Sequence, residues 1–72
     1  MITLRKKQHF CILAIHEDLL GTWHVSRKSW CISWSGINVK NFEFTNELTA
    51  KQKLFDLEMV KRNLGYQYEN FN

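Results

Sequence analysis

The spacing of apolar residues changes at Asn46, and this change constrains the fold more than any other feature of the chain. Before it, apolar side chains alternate or form short runs, as in strands; after it, they recur every third or fourth position, as in a helix. The order predicts an α+β fold, with an antiparallel β-sheet of about four strands and one C-terminal helix packed across one face. The 72 residues make a single domain, 1–72, in which 1–8 form a basic N-terminal segment and 66–72 a short tail.

Four stretches before Asn46 have strand patterns. They are 9–16, 22–28, 29–35 and 37–44. The first is apolar on both faces, which is typical of a central strand covered on two sides. In the third, Trp30 and Trp34 share one face, which is either a stacking surface or part of the core beneath the helix. Residues 17–21 predict a turn, in which Gly21 supplies a positive φ.

The helix is predicted to begin after Asn46 and to end near Leu64. Asn46 can cap its N-terminus, while Thr49 with Gln52 offers an alternative capping box, and Gly65 suits the position just past its end. One broad apolar stripe is expected to pack on the sheet. Its members are Ala50, Leu54, Leu57, Val60 and Leu64.

A second apolar stripe lies nearly half a turn away from the first on the predicted helix. It contains Leu48, Phe55 and Met59. A lone helix on a sheet buries one stripe, so the second needs a cover. Either part of the same chain folds over it, or it binds a partner or a second copy in a homodimer. The candidate covers within the chain are Ile2, Leu4, Tyr66, Tyr68 and Phe71.

Charge and composition limit the classes of function. Ten Lys and Arg against seven Asp and Glu give a net charge of +3, which is compatible with nucleic-acid binding and also with ordinary surface lysines. The basic run 5–7 is either a phosphate-tracking arm or a solvated terminus. Two cysteines are too few for a disulfide scaffold, and the apolar run 10–15 is too short to span a bilayer. We therefore expect a cytoplasmic protein with no membrane contact.

The sequence predicts neither a metal site nor a cofactor nor catalysis. The potential metal ligands are His9, Cys11, His16, His24 and Cys31. Their spacing matches no structural zinc pattern, and His9 and His16 fall on opposite faces of one predicted strand. Glu17 and Asp18 are adjacent in a turn and diverge. The chain contains no glycine-rich phosphate loop and no nucleophile elbow, so we do not expect an enzyme.

A set of short motifs occurs in a fixed order between residues 10 and 66. They are Phe10-Cys11-Ile12-Leu13, Glu17-Asp18, Gly21, Val25, Arg27-Lys28, Phe44, Ala50, Leu54, Lys61 and Gly65-Tyr66. In this order and spacing the chain resembles the WGR domain, a module of poly(ADP-ribose) polymerases and of small bacterial proteins. Trp30-Cys31-Ile32 falls where that family has its Trp-Gly-Arg signature, so the tryptophan remains while Cys31 and Ile32 replace the glycine and the arginine.

The resemblance implies a non-catalytic module that binds nucleic acid, with DNA favoured over RNA. In DNA-binding members the signature tryptophan packs on a sugar or an exposed base, and nearby Arg and Lys hold phosphates. Arg27 and Lys28 could take over from the missing arginine, and Lys40 could approach across a hairpin. The predicted nucleic-acid-binding residues are Arg27, Lys28, Trp30, Trp34 and Lys40.

The alternative prediction is a protein-binding adaptor or inhibitor built on the same scaffold. A small domain without the signature arginine suits a phage or mobile-element protein that acts on a host nucleic-acid-processing enzyme. The partner would then be bound through Leu48, Phe55 and Met59 on the helix, or through the aromatic residues Trp34 and Tyr68.

Overall fold

Short connections join the first four strands, so each strand pairs with its neighbour in the chain. The computed structural model describes residues 1–69. Its elements are β1 (Ile2–Lys6), β2 (His9–Glu17), β3 (Trp23–Cys31), β4 (Asn38–Phe44), α1 (Glu47–Asn63) and β5 (Gln67–Tyr68). The sheet has the order β4-β3-β2-β1-β5, and every pairing is antiparallel. The predicted α+β architecture, with one helix after the main strands, is confirmed.

The core lies between α1 and one face of the sheet, here called the helix-covered face. Because side chains alternate along a strand, the residues that contribute to this face lie two positions apart. Its fully buried members are Leu4, Cys11, Leu13 and Val25, joined by Ala50 and Leu57 from the helix. On the opposite side, the open face, no helix packs within residues 1–69. The open face carries the even-numbered residues of β2 and β3.

The prediction that residues 9–16 are covered on two sides is wrong. Cys11 and Leu13 are buried on the helix-covered face, whereas Phe10, Ile12 and Ala14 are half-buried on the open face. In the described part of the chain the helix crosses one side of the sheet, and on the other side the shielding comes from cross-strand neighbours.

Residues 2–6 form a strand, although the sequence analysis predicted none there. β1 lies inside the sheet between β2 and β5, and Leu4 is fully buried. A tight turn makes this possible, because Lys7 adopts a φ of 56° and Lys6 pairs with His9 directly after it. The basic run is therefore not an arm that precedes the domain but part of its sheet.

The predicted strand over 29–35 is also corrected. β3 continues without a break from Trp23 to Cys31, and a turn follows in which the Trp34 N–H donates to the Cys31 carbonyl at 2.9 Å. Trp34 therefore does not share a strand face with Trp30. Trp30 lies on the open face, so of the two alternatives for this residue, the one that places it in the core beneath the helix is wrong.

The predicted ends of the helix are confirmed. Asn46 is the N-cap, and its side-chain oxygen accepts the Thr49 N–H at 3.2 Å. Leu64 is the C-cap, and Gly65 follows with a φ of 101°, a conformation that favours glycine. The Lys6 ammonium group donates to the Leu64 carbonyl at 2.6 Å, which ties β1 to the negative end of the helix.

The apolar stripe predicted to face the sheet is only partly correct. Ala50, Leu54 and Leu57 pack against the sheet, whereas Val60 and Leu64 are exposed. An α-helix turns by about 100° per residue, which puts Val60 on the flank of the helix, and Leu64 lies beyond its last turn.

The outer helix stripe consists of Leu48, Phe55 and Met59. These side chains are exposed by 78%, 55% and 38%, so the prediction that the chain itself covers them is wrong for the described residues. Leu4 lies in the core beneath the helix, and Ile2 and Tyr66 pack against that core. Tyr68 lies beside the stripe rather than on it, and Phe71 is outside the described residues.

Candidate nucleic-acid interface

Two aromatic rings stack on the open face near the end where β2 begins. Phe10 and Trp30 are direct cross-strand partners, with ring centroids 5.3 Å apart and planes at 9°. Their register follows from the β2–β3 turn, in which the Asp18 N–H donates to the Thr22 carbonyl at 2.9 Å. Counting outward from that pair brings Phe10 opposite Trp30. Both side chains are half-buried, so each retains an accessible surface.

A guanidinium group extends this stack across a third strand. Arg5 is the β1 partner of Phe10, and its Cζ lies 4.9 Å from the centroid of the Phe10 ring. Arg5 Nε donates to the Lys7 carbonyl at 2.8 Å, and Nη1 lies 3.5 Å from Glu69 Oε1. We call Arg5, Phe10 and Trp30 the aromatic row. Its cation is held in place but is partly neutralised by Glu69.

Lys28 provides a second positive charge beside the aromatic row. It lies two positions before Trp30 and therefore on the same face, and its side chain is exposed. It forms no salt bridge with any residue from 1 to 69. The β3–β4 pairing ends at Ser29 and Asn38. Trp30 is one residue past that end, so no paired residue of β4 lies on the side of Trp30 away from Phe10.

The other end of the open face has a different chemistry. His16 and His24 stack there with centroids 4.9 Å apart, and His24 Nε2 donates to Asp18 Oδ2 at 2.8 Å. This hydrogen bond, with those from the backbone N–H groups of Thr22 and Leu20, holds the pKa of Asp18 below its usual value. The open face is thus basic and aromatic at one end, and carries a histidine–carboxylate pair at the other.

No metal centre is evident at the histidine end. Within residues 1–69 no three His, Cys, Asp or Glu side chains are placed to hold a metal ion together.

The five predicted nucleic-acid-binding residues lie on three different surfaces. Lys28 and Trp30 are on the open face. Arg27 and Lys40 are cross-strand partners on the helix-covered face. Trp34 lies in the turn after β3, where its ring meets the edge of His9 at 6.2 Å. Adjacent residues of a strand point to opposite sides, so Arg27 and Lys28 cannot act on the same face.

Arg27 and Lys40 belong to a second group of cations at the β4 edge. Lys40 and Lys53 place their ammonium groups 5.7 Å and 4.3 Å from the ring centroid of Phe42. Arg27 Nε is buried, with no hydrogen-bond partner among the described residues. We call Arg27, Lys40 and Lys53 the edge cluster. It provides positive charge, but its aromatic ring is already occupied by two of its own cations.

Sequence reasoning did not include Arg5 and Phe10 in the site. Both could have been found from the strand register. A turn closed by Asp18 and Thr22 pairs Phe10 with Trp30, and a two-residue turn at 7–8 then pairs Arg5 with Phe10. Arg5 was not included because residues 2–6 were not predicted to form a strand.

Cys31 ends β3 on the helix-covered face and differs from the other cysteine. Its Sγ lies 3.3 Å from Ser33 Oγ. The hydrogen bond with the Ser33 hydroxyl, with help from the backbone N–H groups of Ser33 and Ile32, lowers the pKa of the Cys31 thiol. Cys11 is fully buried in the core, and both cysteines are free thiols.

Comparison with known proteins gives no significant match to any protein-family model, curated protein or solved structure. The resemblance to the WGR domain therefore gains no support from relatives. Within residues 1–69, no helix has the length and apolar character needed to cross a membrane.

Proposed function

We propose that the protein is a small non-catalytic module that binds nucleic acid, with DNA as the expected ligand, through the basic end of its open face. One observation carries the proposal. The stacked pair Phe10–Trp30 lies on the open face, which no helix among the described residues covers, and is flanked by the cations Arg5 and Lys28. Aromatic surfaces beside positive charge, on a sheet, are the combination that binds unstacked bases and their backbone.

Each residue has a distinct task in this proposal. Trp30 stacks with a base or sugar, an interaction worth about 1–3 kcal/mol per base. Phe10 orients the indole from one side, while Lys28 and Arg5 contact phosphates. The open face of β2 and β3 carries no Asn, Gln or Glu side chain, and Gln67, the β5 partner of Arg5, is three strands away from Trp30. We therefore expect little reading of base edges and weak sequence preference.

A WGR-like relationship is part of this proposal. It is supported by the ordered motifs and by the arrangement of a sheet followed by one helix. Ile32, which occupies the position of the signature arginine, is exposed in the turn after β3. Phosphate contacts then have to come from other cations, and Lys28 and Arg5 share the face of Trp30.

Fluorescence anisotropy with labelled oligonucleotides tests the proposal. A single strand and a duplex with a recessed end would be titrated at several salt concentrations, starting from about 50 mM. We expect binding that weakens steeply with salt, and a loss of about tenfold or more in Trp30→Ala. Lys28→Ala should weaken binding and reduce the salt dependence.

Matched controls are available for both substitutions. Trp34→Ala removes the same side chain from the turn, and Lys40→Ala removes the same charge from the edge cluster. Both should bind like the unmodified protein. Absence of binding at the lowest salt concentration contradicts the proposal, and a loss confined to Lys40→Ala would move the site to the edge cluster.

A second function, binding of a host nucleic-acid-processing protein as an adaptor or inhibitor, is favoured by a different observation. The outer helix stripe stays exposed on the side of the molecule away from the open face. Under this function Met59→Asp should abolish capture of the partner in a pull-down, while Lys28→Ala should not. The reverse pattern supports nucleic-acid binding.

A further inference from the structure

Four charged residues of alternating sign follow one flank of the outer helix stripe. They are Glu47, Lys51, Glu58 and Arg62. At about 100° per residue, all four fall on the same side of the line through Leu48, Phe55 and Met59. Lys51 and Glu47 already form an ion pair at 2.7 Å within the helix. The stripe is therefore bordered by a charge pattern rather than by neutral polar residues.

This pattern is complementary to itself when a second helix runs in the opposite direction. If the two-fold axis passes between Leu54 and Phe55, Lys51 lies opposite Glu58 of the second copy, and Glu47 lies opposite Arg62 of the second copy. In a two-fold antiparallel pair the same flanks of the two helices face each other. One register therefore satisfies both pairs, each of which occurs twice. In a two-fold parallel pair the charged flank of each helix would instead lie against the opposite flank of the second helix, so these ion pairs would not form.

The apolar residues fit the same register. Phe55 lies within about 1 Å of the axis and meets Phe55 of the second copy. Measured along the helix axis, Leu48 lies about 3 Å from Met59 of the second copy, so these two side chains also pair on each side of the two-fold axis. The apolar side chains are thus compatible with the register that the charges select.

We propose that the outer helix stripe binds the same stripe of a second copy, forming an antiparallel, two-fold symmetric homodimer. Contacts within the chain already hold two side chains of the charged flank in place. The Tyr68 hydroxyl donates to Glu58, and the Arg62 guanidinium lies 4.7 Å from the centroid of the Tyr68 ring. Side chains that are already held lose less freedom on association, which favours binding.

The dimer leaves both open faces accessible, because α1 separates them from the interface. Two nucleic-acid sites would then point away from each other in one particle. This consequence rests on the proposed function; the dimer itself does not. A protein that dimerises but fails to bind oligonucleotides would disprove the function and leave the dimer intact.

Sedimentation equilibrium of the full chain, from low micromolar to about 1 mM, tests the dimer. We expect a reversible monomer–dimer equilibrium. Phe55→Glu, which places two carboxylates at the axis, should weaken association by about a hundredfold. Leu20→Glu is the control, because Leu20 is also apolar and exposed but lies in the β2–β3 turn. It should dimerise as the unmodified chain does.

Charge reversal tests the register itself. Lys51→Glu and Glu58→Lys each place like charges in contact twice, so each variant alone should associate about tenfold more weakly. Mixing the two variants should restore dimerisation, because every contact between the two chains is then between opposite charges. Circular dichroism confirms that each variant is folded.

Three results would overturn the proposal. The first is a monomer throughout the concentration range. The second is a dimer that Phe55→Glu leaves unchanged, which would place the interface on another surface such as an edge of the sheet. The third is that the mixture of Lys51→Glu and Glu58→Lys associates no better than either variant, which would exclude the antiparallel register.

Discussion

Phe10 and Trp30 stack across the β2–β3 pairing, with ring planes at 9° and centroids 5.3 Å apart, on the side of the sheet where no helix packs within residues 1–69. The stack joins the two most central strands where the core does not reach. It therefore contributes to the stability of the fold and also forms the proposed stacking surface.

The energetic coupling of this pair is measurable. Phe10→Ala and Trp30→Ala should each destabilise the fold, and their double-mutant cycle should give a coupling of about 0.5–1.5 kcal/mol. Urea denaturation of the four proteins provides the free energies of unfolding. As a control, Phe10→Ala and Val39→Ala should be additive, because Val39 is on β4 and is not a neighbour of Phe10. Additivity of the stacked pair would show that the rings do not interact.

Leu4 tests whether β1 is integral to the domain. It is fully buried, so Leu4→Ala should cost about 2–5 kcal/mol, a large share of the stability of so small a domain. Leu19→Ala removes the same atoms from an exposed turn and should be nearly neutral. The melting temperatures of both variants, measured by thermal denaturation, test this prediction. Equal melting temperatures would mean that residues 2–6 do not pack as β1.

The helix was predictable because its ends are marked locally. Asn46 and Gly65 supply the two caps, and the apolar period between them differs from the alternation that precedes it. The alternation of Trp23 and Val25 also placed both correctly on one face. These features depend on residues that are close together in the chain, so the local sequence is enough to predict them.

The remaining features depend on partners distant in sequence. The pattern at Ile2 and Leu4 is too short to predict a strand, and basic residues follow it directly. Alternation also continues through Ile32 and Trp34, past the end of β3, so it cannot reveal the turn. The aromatic row needs the register of three strands, which one strand's pattern does not determine.

The hydrogen bond between His24 and Asp18 makes stability depend on pH. The pKa of Asp18 in the fold lies below its ordinary value of 3.8, so folding favours the carboxylate. The stabilisation is complete above the unfolded pKa and is lost as the pH falls through the folded pKa. Asp18→Asn keeps an oxygen for the Thr22 and Leu20 N–H groups but loses the charge.

We therefore expect Asp18→Asn to be less stable than the unmodified protein at about pH 7, and the difference to shrink below about pH 4. Urea denaturation across this range measures it. Glu43→Gln is the control, because Glu43 Oε1 is 3.9 Å from His24 and mostly exposed, so its effect should be smaller. A difference that is constant with pH would assign the effect to the shape of the turn.

Cys31 should react with alkylating reagents ahead of Cys11. Its thiol pKa is lowered by the Ser33 hydroxyl and nearby backbone N–H groups, so more thiolate is present near neutral pH. Cys31 is also 6% exposed at the end of β3, whereas Cys11 is fully buried. Ser33→Ala removes the hydroxyl, should raise the pKa of Cys31, and should slow its alkylation about two- to fivefold at neutral pH. The effect should vanish at alkaline pH, where the thiol is ionised in both proteins.

Mass spectrometry after timed treatment with iodoacetamide gives the rate at each cysteine. Ser35→Ala, in the same turn but without a contact to Cys31 Sγ, should leave the rate unchanged. If Ser33→Ala slowed alkylation equally at every pH, the hydroxyl would control access to the sulfur rather than its ionisation. Equal rates at Cys11 and Cys31 would mean that both thiols are alkylated only after the whole domain opens, because global opening exposes the two equally.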